Sequence, residues 1–572
     1  MIFYDFEVFS KYWCVCIVNL ITNERKIIDT REELTRYYEE NINQVWIGYN
    51  SRNYDQYILK GVLAGIKSKF INDEIIINNK KGWEISSVFN TILLNNYDVF
   101  KTNDRGLKFL EASMGNSIKE SDVPFDKPDE FDFNDLKDTW DYCMYDAEQT
   151  VEVFIKRIDD FNAHLDILKT FKLPLLHISK TQAQLSALAL DCVRKKWDDE
   201  WDIQLIDTLR IDKYWHIMEW FKNPINHNMN SSLTVNLAGV PHQFGWGGLH
   251  GAPDKPVHRK GLIIHVDVGS FYPTIMIEYD LLTRNARDKN KFKEIYDRRM
   301  QLKAEGKKKE QAPYKIILNS TYGISNDPYS SAYDPRQAHN VCANGQLLLL
   351  DLIEHLEDIP SMELIQSNTD GLIIQIDEEH FEQLDDICYE WETRTRMSLE
   401  FDFIKEIYQK DVNNYLFIRE DDSVERIGAY VKPLDDLDYD LPIVNKALVD
   451  YFVKKIPVEQ TILNCNELKE FQIIRKISYK YDHIKHGETI LKEKTIRCFA
   501  SVDSNDLGVS KKHATTGTYE KIEGTPVNCF IYNDAVNGLP VPKKLDKGWY
   551  IELAKKRLED YGIVGGLFNE FI

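Results

Sequence analysis

Apolar and polar residues follow two different rhythms along the first 190 residues. Three short segments have the alternating or continuous apolar character of strands: MIFYDFEVF, YWCVCIVNL and QVWIGYN. Two later segments, NYDQYILKGVLAGI and DTWDYCMYDAEQTVEVFIKRIDDF, repeat apolar residues at helical spacing. Strands with interleaved helices predict an α/β domain that ends near residue 190.

A glycine-rich segment at 244–253, FGWGGLHGAP, precedes a second set of elements. The continuous apolar strand GLIIHVDV follows it and is interrupted after Asp267 by glycine and serine. Two helices come next: the first is predicted to stop at Gly306, and the second to begin at Pro313, a favourable first-turn residue. A third helix, QAHNVCANGQLLLLDLIEHLE, leads to the segment LIQSNTDGLIIQI.

The segment LIQSNTDGLIIQI, residues 364–376, consists of two strand-like runs around one acid, Asp370. Asp-Gly between apolar runs is a strong hairpin signal, and aspartate tolerates the left-handed turn conformation. A turn acid is therefore the simpler interpretation of Asp370. The other interpretation, a metal ligand at the tip of a buried hairpin, needs a second carboxylate elsewhere in the chain.

Length and charge limit the classes of protein. At 572 residues the chain is too long for one core, so we expect several domains. Its formal net charge of −21 argues against indiscriminate nucleic-acid binding, but the basic stretch at 289–309 allows a local positive groove. The N-terminus lacks the basic residues of a signal peptide and no apolar run approaches the ~20 residues of a membrane span. We therefore expect a cytoplasmic protein with no membrane partner.

Asp267 offers Asp370 a partner, because each acid lies at the end of a predicted strand. Carboxylates held on rigid backbone can share two divalent cations about 3.5–4 Å apart, as two-metal phosphoryl transfer requires. On the residues alone the pair is only suggestive, and two unrelated turn acids remain an equal alternative.

Three motifs surround these acids in order: DVGSFYP at 267–273, KIILNSTYG at 315–323 and NTDG at 368–371. They resemble motifs A, B and C of the family B DNA polymerases. The segment GWGGLHGA is similar to the glycine-rich connector between exonuclease and polymerase domains in bacteriophage members. The resemblance spans nearly the whole chain and implies a phage-type replicative polymerase in the cytoplasm of a bacterial host.

The resemblance implies a role for each matching position of the polymerase motifs. Asp267 and Asp370, together with Val268, would hold two Mg²⁺ ions, for which Mn²⁺ could substitute. Tyr272 would lie beneath the sugar of the incoming nucleotide and select deoxynucleotides. Further nucleotide contacts would come from Arg299, Lys303, Lys315, Asn319 and Tyr322, and DNA contacts from Gly247, Gly248 and Tyr415.

Helical spacing supports part of this assignment independently of the resemblance. Lys315, Asn319 and Tyr322 fall at i, i+4 and i+7 and therefore share one helix face. Arg299 and Lys303 are also i, i+4, although a solvated charged face is a common alternative for such a pair. For Tyr272, the residue type alone would favour a core tyrosine.

A second group of acids, at the N-terminus, resembles the three exonuclease motifs of proofreading polymerases. These motifs are YDFEVF, NSRNYD at 50–55 and YCMYD at 142–146. Asp5 and Glu7 are two residues apart and so share one face of a strand. The resemblance implies two further Mg²⁺ ions here, with these residues at the site: Asp5, Glu7, Asp55 and Asp146 around the ions, Tyr142 aligning the attacking water, and Asn50 and Tyr54 contacting the single strand.

The third polymerase motif departs from the family pattern of Asp-Thr-Asp-Ser. Asn368 replaces its first acid and Gly371 replaces its serine, whereas the indispensable second acid is kept as Asp370. The substitution at Asn368 puts the fine positioning of the metal in doubt. After this motif, Tyr415 carries over from a Lys-x-Tyr motif that contacts the primer, but Asn413 replaces the lysine.

The exonuclease part also departs from the family. Gly106, in GLKFL, stands where a segment that binds the single strand usually has serine or threonine. Lys137 is the candidate for the auxiliary lysine of the exonuclease site. The short spacings between the polymerase motifs leave no room for the insertions of protein-primed members, so we expect a nucleic-acid primer.

The predicted fold class is multidomain α/β and α+β, with an RNase H-like 3′–5′ exonuclease domain and a right-hand polymerase of palm, fingers and thumb. The predicted limits are 1–190 for the exonuclease, 191–284 for the connector and first part of the palm, 285–325 for the fingers, 326–435 for the palm and 436–572 for the thumb.

The predicted activity is template-directed DNA polymerisation with proofreading, for phage genome replication. The expected partners are primer–template DNA, dNTPs and replisome proteins, and the expected state is a monomer. One alternative is a 3′–5′ DNA exonuclease with a polymerase-like DNA-binding platform. Asn368 and Gly371 support this alternative. Another is a non-catalytic single-strand-binding protein, which the acidic charge and the two sets of acids disfavour.

Overall fold

The computed structural model describes residues 1–564 and 567–568, so positions 565–566 and 569–572 of the predicted thumb lie outside the described part. The chain forms two compact units. The first comprises Met1–Ser179, Leu434–Ile443 and Ile462–Tyr550, and the second comprises Lys180–Pro433, Val444–Thr461 and Ile551–Ile572. The segment predicted as thumb contributes to both units, and the predicted domain limits stay predictions.

Strands and helices follow one another along three stretches of the chain. Residues 1–179 contain β1 (Ile2–Val8), β2 (Trp13–Asn19), β3 (Glu24–Ile28), α1 (Arg31–Glu40), β4 (Val45–Gly48), α2 (Asp55–Leu63), α3 (Ser68–Ile76), α4 (Gly82–Ile85), β5 (Asn95–Asp98), α5 (Leu107–Met114), α6 (Phe133–Lys156) and α7 (Ile158–Thr170). Residues 180–433 contain α8 (Gln182–Ala189), α9 (Trp215–Lys222), β6 (Ser232–Leu237), β7 (Val240–Gly245), β8 (His250–Gly251), β9 (Val257–Val268), α10 (Phe271–Glu278), α11 (Lys289–Ala304), α12 (Lys308–Asn326), α13 (Pro335–Leu356), β10 (Glu363–Asn368), β11 (Gly371–Gln375), α14 (Phe381–Thr395), β12 (Leu399–Asp411), β13 (Asn414–Arg419) and β14 (Val424–Ile427). The remainder contains α15 (Pro442–Lys454), α16 (Val458–Asn464), β15 (Ile473–Lys476), β16 (Tyr481–His486), β17 (Thr489–Leu491), β18 (Thr495–Ala500), β19 (Val509–His513), β20 (Tyr519–Lys521), β21 (Cys529–Ile531), α17 (Lys547–Asp560), β22 (Ile563–Val564) and β23 (Leu567–Phe568).

The N-terminal sheet of the first unit has the strand order β3-β2-β1-β4-β5. Strand β1 runs antiparallel to β2 and parallel to β4, and α6 packs against β1 and β2. Alternation along β1 puts Tyr4 and Phe6 into an apolar cluster with Trp46 on one face of the sheet. The intervening acids, Asp5 and Glu7, therefore face the opposite side, as the sequence predicts.

The sheet of the second unit has the order β14-β13-β12-β9-β11-β10-β8-β7-β6. The long strand β9 pairs antiparallel with both β11 and β12, and its face carries a buried cluster that includes Ile263, Ile373 and Ile404. The predicted hairpin is confirmed: β10 and β11 pair through a turn at 369–370.

The first unit also contains the sheets β15-β18-β21 and β17-β16-β19-β20.

One helix boundary differs from the sequence prediction. Helix α12 begins at Lys308, so Pro313 lies inside the helix and not at its first turn. The proline ring removes the N–H that would donate to the carbonyl of Lys309, and the helix nevertheless continues to Asn326. The other helices predicted along the chain are confirmed, and among the described residues no helix is both long and apolar enough to cross a lipid bilayer.

Candidate active sites

Strand register in the second unit brings Asp267 and Asp370 together. Gly371 lies directly opposite Asp267 in the β9–β11 pair, so Asp370 is the residue immediately before this pairing. The N–H of Val268 donates to the carbonyl of Asp370 at 2.8 Å. Thr369 takes the left-handed conformation, with φ of 57°, and thereby turns the chain tightly enough to present Asp370 at the end of the sheet.

A cavity of about 460 Å³ opens at this end of the sheet. Most of the residues predicted for the polymerase site line it together. These are Asp267, Val268, Tyr272, Arg299, Lys303, Lys315, Asn319 and Asp370. The cavity thus combines acids on the sheet with basic and amide groups on helices α11 and α12.

The acids of this cavity are held in an unfavourable environment for their charge. Burial, followed by repulsion from Asp370 and Glu400, raises the pKa of Asp267 to about 7. Burial also raises the pKa of Asp370. Carboxylates that are desolvated and line one cavity suit a hard divalent cation such as Mg²⁺, so the donor set fits the metal that the sequence implies.

Sequence reasoning missed Glu400 at this site. The residue lies on β12 directly opposite Asp267, lines the cavity and forms an ion pair with Lys303 at 2.6 Å. No local motif marks it, because its proximity depends on the pairing of β12 with β9. The alternation in LEFDF predicts that Glu400 and Asp402 share one face of their strand, but it does not predict that this strand pairs beside Asp267.

Arg299 is held within the cavity wall and is not part of a solvated face. The residue is only 8% exposed, and its Nη1 donates to the hydroxyl of Ser270 at 2.7 Å. Its Nε is buried without a hydrogen-bond partner among the described residues. A buried guanidinium with unused donors is suited to an anionic group entering the cavity.

Tyr272 and Tyr322 pack against each other, with ring centroids 4.7 Å apart. Tyr272 lines the cavity, whereas Tyr322 supports it from α12. Gly345 of α13 leaves space for the Tyr272 ring, since a Cβ there would lie 3.1 Å from Cε1 of the tyrosine. The position of Tyr272 is thus fixed by packing against both α12 and α13.

The predicted connector glycines lie against the turn that carries Asp370. A Cβ on Gly248 would lie 2.6 Å from Oγ1 of Thr369, so only glycine allows this approach. The N–H of Thr369 donates to the carbonyl of Leu249 at 2.8 Å. The carbonyl of Gly247 accepts hydrogen bonds from Cys342 and Gln346 of α13.

Tyr415 does not line the cavity. It is 9% exposed, belongs to the apolar cluster of the sheet and stacks on Phe417 with a centroid distance of 6.0 Å. Its predicted contact with the primer stays a prediction.

A second acidic cluster lies in the first unit, at the end of β1. Asp5, Glu7 and Asp146 each offer an oxygen within 4.8 Å of the others. Asp55, at the start of α2, is held beside them because its Oδ1 accepts a hydrogen bond from the N–H of Phe6 at 3.1 Å. Strand β1 and helices α2 and α6 therefore bring together all four predicted acids.

Burial raises the pKa of every acid in this cluster. The pKa values of Asp5 and Glu7 lie well above their ordinary range, chiefly because of burial and then because of neighbouring carboxylates. Burial raises the pKa of Asp55 to about 7 and also raises that of Asp146. Four buried carboxylates close together are costly to ionise, and a bound divalent cation would lower that cost. Their oxygen donors therefore fit Mg²⁺ or Mn²⁺.

The cluster lines a cavity of about 680 Å³ whose walls are largely apolar. Asn50 and Tyr54 line it as predicted, with Asn50 in the left-handed conformation and the Tyr54 hydroxyl donating to Asn72 at 2.7 Å. Tyr142 lies one turn before Asp146 on α6, and the centre of its ring is 4.6 Å from Nζ of Lys108. Apolar walls beside the acids suit unpaired bases.

The lysine at this cluster is not the one proposed from the sequence. Lys137 is exposed on α6, whereas Lys108 of α5 forms an ion pair with Asp146 at 2.5 Å and lies 4.6 Å from the centre of the Tyr142 ring. Gly106, the position that departs from the family, has a φ of 105° and directly precedes this helix. Lys108 belongs to the segment GLKFL, but the sequence does not show that this segment reaches α6.

Comparison with known proteins gives a structural neighbour and no sequence relative. No protein-family model matches the chain, and no curated protein matches it. Among the solved structures that are similar to this chain is the family B DNA polymerase from the hyperthermophilic archaeon Pyrobaculum calidifontis, with a TM-score of 0.43, 13% sequence identity and coverage of 100% of this chain and 78% of that chain.

Proposed function

We propose that the protein is a template-directed DNA polymerase with a 3′–5′ proofreading exonuclease. One observation carries the proposal: Asp267 and Asp370, far apart in sequence, lie side by side in a cavity that Arg299, Lys315 and Asn319 also line. Acids opposed by basic and amide groups across one cavity suit a metal-bound triphosphate. The second cluster, around Asp5, supports a separate hydrolytic site.

In the polymerase site, Asp267 and Asp370 would hold Mg²⁺ with the backbone of Val268. The bound ions would stabilise the attacking and leaving oxygens of nucleotidyl transfer. Arg299 and Lys315 would bind the triphosphate through charge-assisted hydrogen bonds, and Lys303 would join them on release from Glu400. Tyr272, fixed by its packing on Tyr322, would lie under the sugar and exclude a 2′-hydroxyl.

In the exonuclease site, Asp5, Glu7 and Asp146 would hold the cations, with Asp55 beside them. Bound Mg²⁺ would supply an activated water at neutral pH. Tyr142 would orient that water, since it lies one helical turn before Asp146 on α6. Asn50, Tyr54 and the apolar walls would receive the unpaired 3′ end.

The biological setting belongs to the same proposal. The substrates are primer–template DNA and dNTPs, and the enzyme replicates a phage genome as a monomer in the host cytoplasm, together with replisome proteins. The similarity of GWGGLHGA to a phage connector, and the contact of Gly248 with the turn of Asp370, support this assignment.

A second candidate function is a 3′–5′ exonuclease that uses the second unit only to hold DNA. Asn368 favours it, because the turn of Asp370 carries one acid where the family pattern has two. Arg299 opposes it, since a buried guanidinium with unused donors is costly unless an anion enters the cavity.

Incubation of a labelled primer–template with Mg²⁺, with and without dNTPs, separates the two functions. A polymerase lengthens the primer with dNTPs and shortens it without them. A nuclease shortens the primer under both conditions, and that result would overturn the proposal.

A further inference from the structure

Two side chains on α5 form a charged pair behind the exonuclease acids. Nζ of Lys108 lies 2.5 Å from Oδ1 of Asp146 and 3.2 Å from Oε1 of Glu111. Lys108 and Glu111 are one helical turn apart, so the same helix presents both. The Lys108 side chain is 14% exposed and that of Glu111 is 0% exposed, which removes both groups from the screening of bulk water.

The ammonium of Lys108 competes with a divalent cation for Asp146. The carboxylate that accepts the Lys108 hydrogen bond also belongs to the group in which Asp5, Glu7 and Asp146 lie within 4.8 Å of one another. Opposite charges at hydrogen-bond distance in a buried place interact strongly. A cation that binds Asp146 must therefore loosen or displace Lys108.

Glu111 offers the displaced ammonium a second position. Its Oε2 is buried and has no hydrogen-bond partner among the described residues, although its Oε1 already contacts Lys108. A buried carboxylate oxygen without a partner is costly, and a closer approach of Lys108 would satisfy it. The face of the Tyr142 ring, 4.6 Å from the ammonium, supports the lysine during this short movement.

We infer that Lys108 is a displaceable internal cation of this site: it holds Asp146 when no divalent cation is bound and moves onto Glu111 when one binds. Lys108 and Glu111 are then positioning residues that set the affinity of the site for its metal, with opposite signs. Lys108 weakens metal binding by competition, and Glu111 strengthens it by receiving the lysine. The inference rests on the proposed exonuclease function, since it assumes that the cluster around Asp5 binds a divalent cation.

Binding of Mn²⁺, followed by the paramagnetic resonance of the free ion, tests the inference without an activity measurement. The full chain carries Asp267→Asn and Asp370→Asn, so that binding in the cavity of these two acids does not contribute. In this background Lys108→Met is expected to bind Mn²⁺ about threefold or more tightly, and Glu111→Gln about threefold or more weakly, than the parent. When Lys108→Met is already present, adding Glu111→Gln should not change the affinity for Mn²⁺ further, because Glu111 acts through Lys108.

Two further variants keep the test decisive. Glu111→Asp keeps the charge but withdraws it from Lys108, so it is also expected to weaken Mn²⁺ binding, and it replaces Glu111→Gln if that variant does not fold. Lys101→Met removes a lysine of the same unit that pairs with Asp160 at 2.6 Å, away from the cluster, and it should leave the affinity unchanged.

The outcomes separate the inference from the function on which it rests. If Asp5→Ala leaves Mn²⁺ binding in this background intact, the cluster is not the metal site and the proposed exonuclease fails. If Asp5→Ala removes binding, but Lys108→Met and Glu111→Gln shift the affinity in the same direction, the displaceable cation is wrong while the exonuclease site stands. The same conclusion follows if Glu111→Gln weakens binding equally in the Lys108→Met background.

Discussion

His265 occupies the space that a side chain on Gly371 would need. A Cβ at Gly371 would lie 2.8 Å from Nε2 of His265 and 3.3 Å from Oδ1 of Asp267. The glycine that departs from the family motif is therefore matched to a histidine two residues before Asp267 on the same strand face. Glycine at 371, in place of the serine of the family pattern, makes room for His265 and leaves the carboxylate of Asp370 in place.

Introducing the serine that the family B pattern has at this position should consequently harm this protein. Gly371→Ser forces the His265 ring to shift beside Asp267, and overpacking of this kind costs about 1–3 kcal/mol. We expect primer extension to fall about tenfold or more, with the exonuclease unaffected, and His265→Ala to restore most of it in the double variant. Single-nucleotide insertion rates measure this, and full activity of Gly371→Ser alone would show that the contact does not constrain the site.

The connector glycines provide a matched pair for the same turn. Gly248→Ala would place a methyl group 2.6 Å from Oγ1 of Thr369, whereas a methyl group on Gly247 would have no heavy atom within 4 Å. We expect Gly248→Ala to displace the turn of Asp370 and to reduce nucleotide insertion about tenfold or more, because a catalytic carboxylate tolerates little misplacement. Gly247→Ala should stay near the wild-type rate, and equal losses in both variants would contradict a role for this approach.

Neighbouring arginines on α11 test the proposed triphosphate contact. Arg299 is buried in the cavity wall, whereas Arg298 contacts Gln301 at the surface of the same helix. Arg299→Ala should raise KM for dNTPs about tenfold or more, since a hydrogen bond to a charged group contributes about 1.5–3 kcal/mol. Arg298→Ala is the control and should change KM little. Steady-state insertion kinetics decide between them, and an unchanged KM in Arg299→Ala would exclude the contact.

The raised pKa values predict how the metal-free protein responds to pH. Burial raises the pKa of Asp55 to about 7, above the value of an exposed aspartate, so the native state binds more protons than the unfolded state between about pH 4 and pH 7. Stability without divalent cations therefore falls as pH rises through this range and stays low above it. Mg²⁺ should reverse the loss at about pH 8, because it binds only the native cluster.

Asp55→Asn should remove part of this penalty. The amide oxygen can still accept the hydrogen bond from the N–H of Phe6, but it carries no charge. Thermal unfolding with EDTA at about pH 8 should show a higher Tm for Asp55→Asn than for the wild type. The difference in the free energy of unfolding should be on the order of a few kcal/mol at this pH and smaller at about pH 5. A lower Tm for the variant at about pH 8 would mean that the ionised carboxylate stabilises the metal-free fold.

The sequence predicts the parts of the fold and site that depend on local pattern. Alternation in β1 predicts the shared face of Asp5 and Glu7, and the Asp-Gly turn predicts the hairpin that presents Asp370. Helical spacing predicts that Lys315 and Asn319 point together, and both line the same cavity.

The remaining features depend on contacts between segments that are distant in the chain. Glu400 comes opposite Asp267 only through the pairing of β12 with β9, and Lys108 reaches Asp146 only because α5 packs on α6. The burial of Arg299 likewise follows from packing, since its sequence context is a highly charged helix. Helix α12 also continues through Pro313, where the local preference of proline for the first turn predicts a helix start.

Separation of the two activities by single substitutions tests the central claim most directly. Asp370→Asn and Asp5→Ala are each assayed for primer lengthening with dNTPs and for primer shortening without them. The account predicts that Asp370→Asn lowers lengthening by roughly three or more decades and leaves shortening intact, while Asp5→Ala does the reverse. Equal suppression of both activities by both substitutions, or lengthening that survives Asp370→Asn, would contradict it.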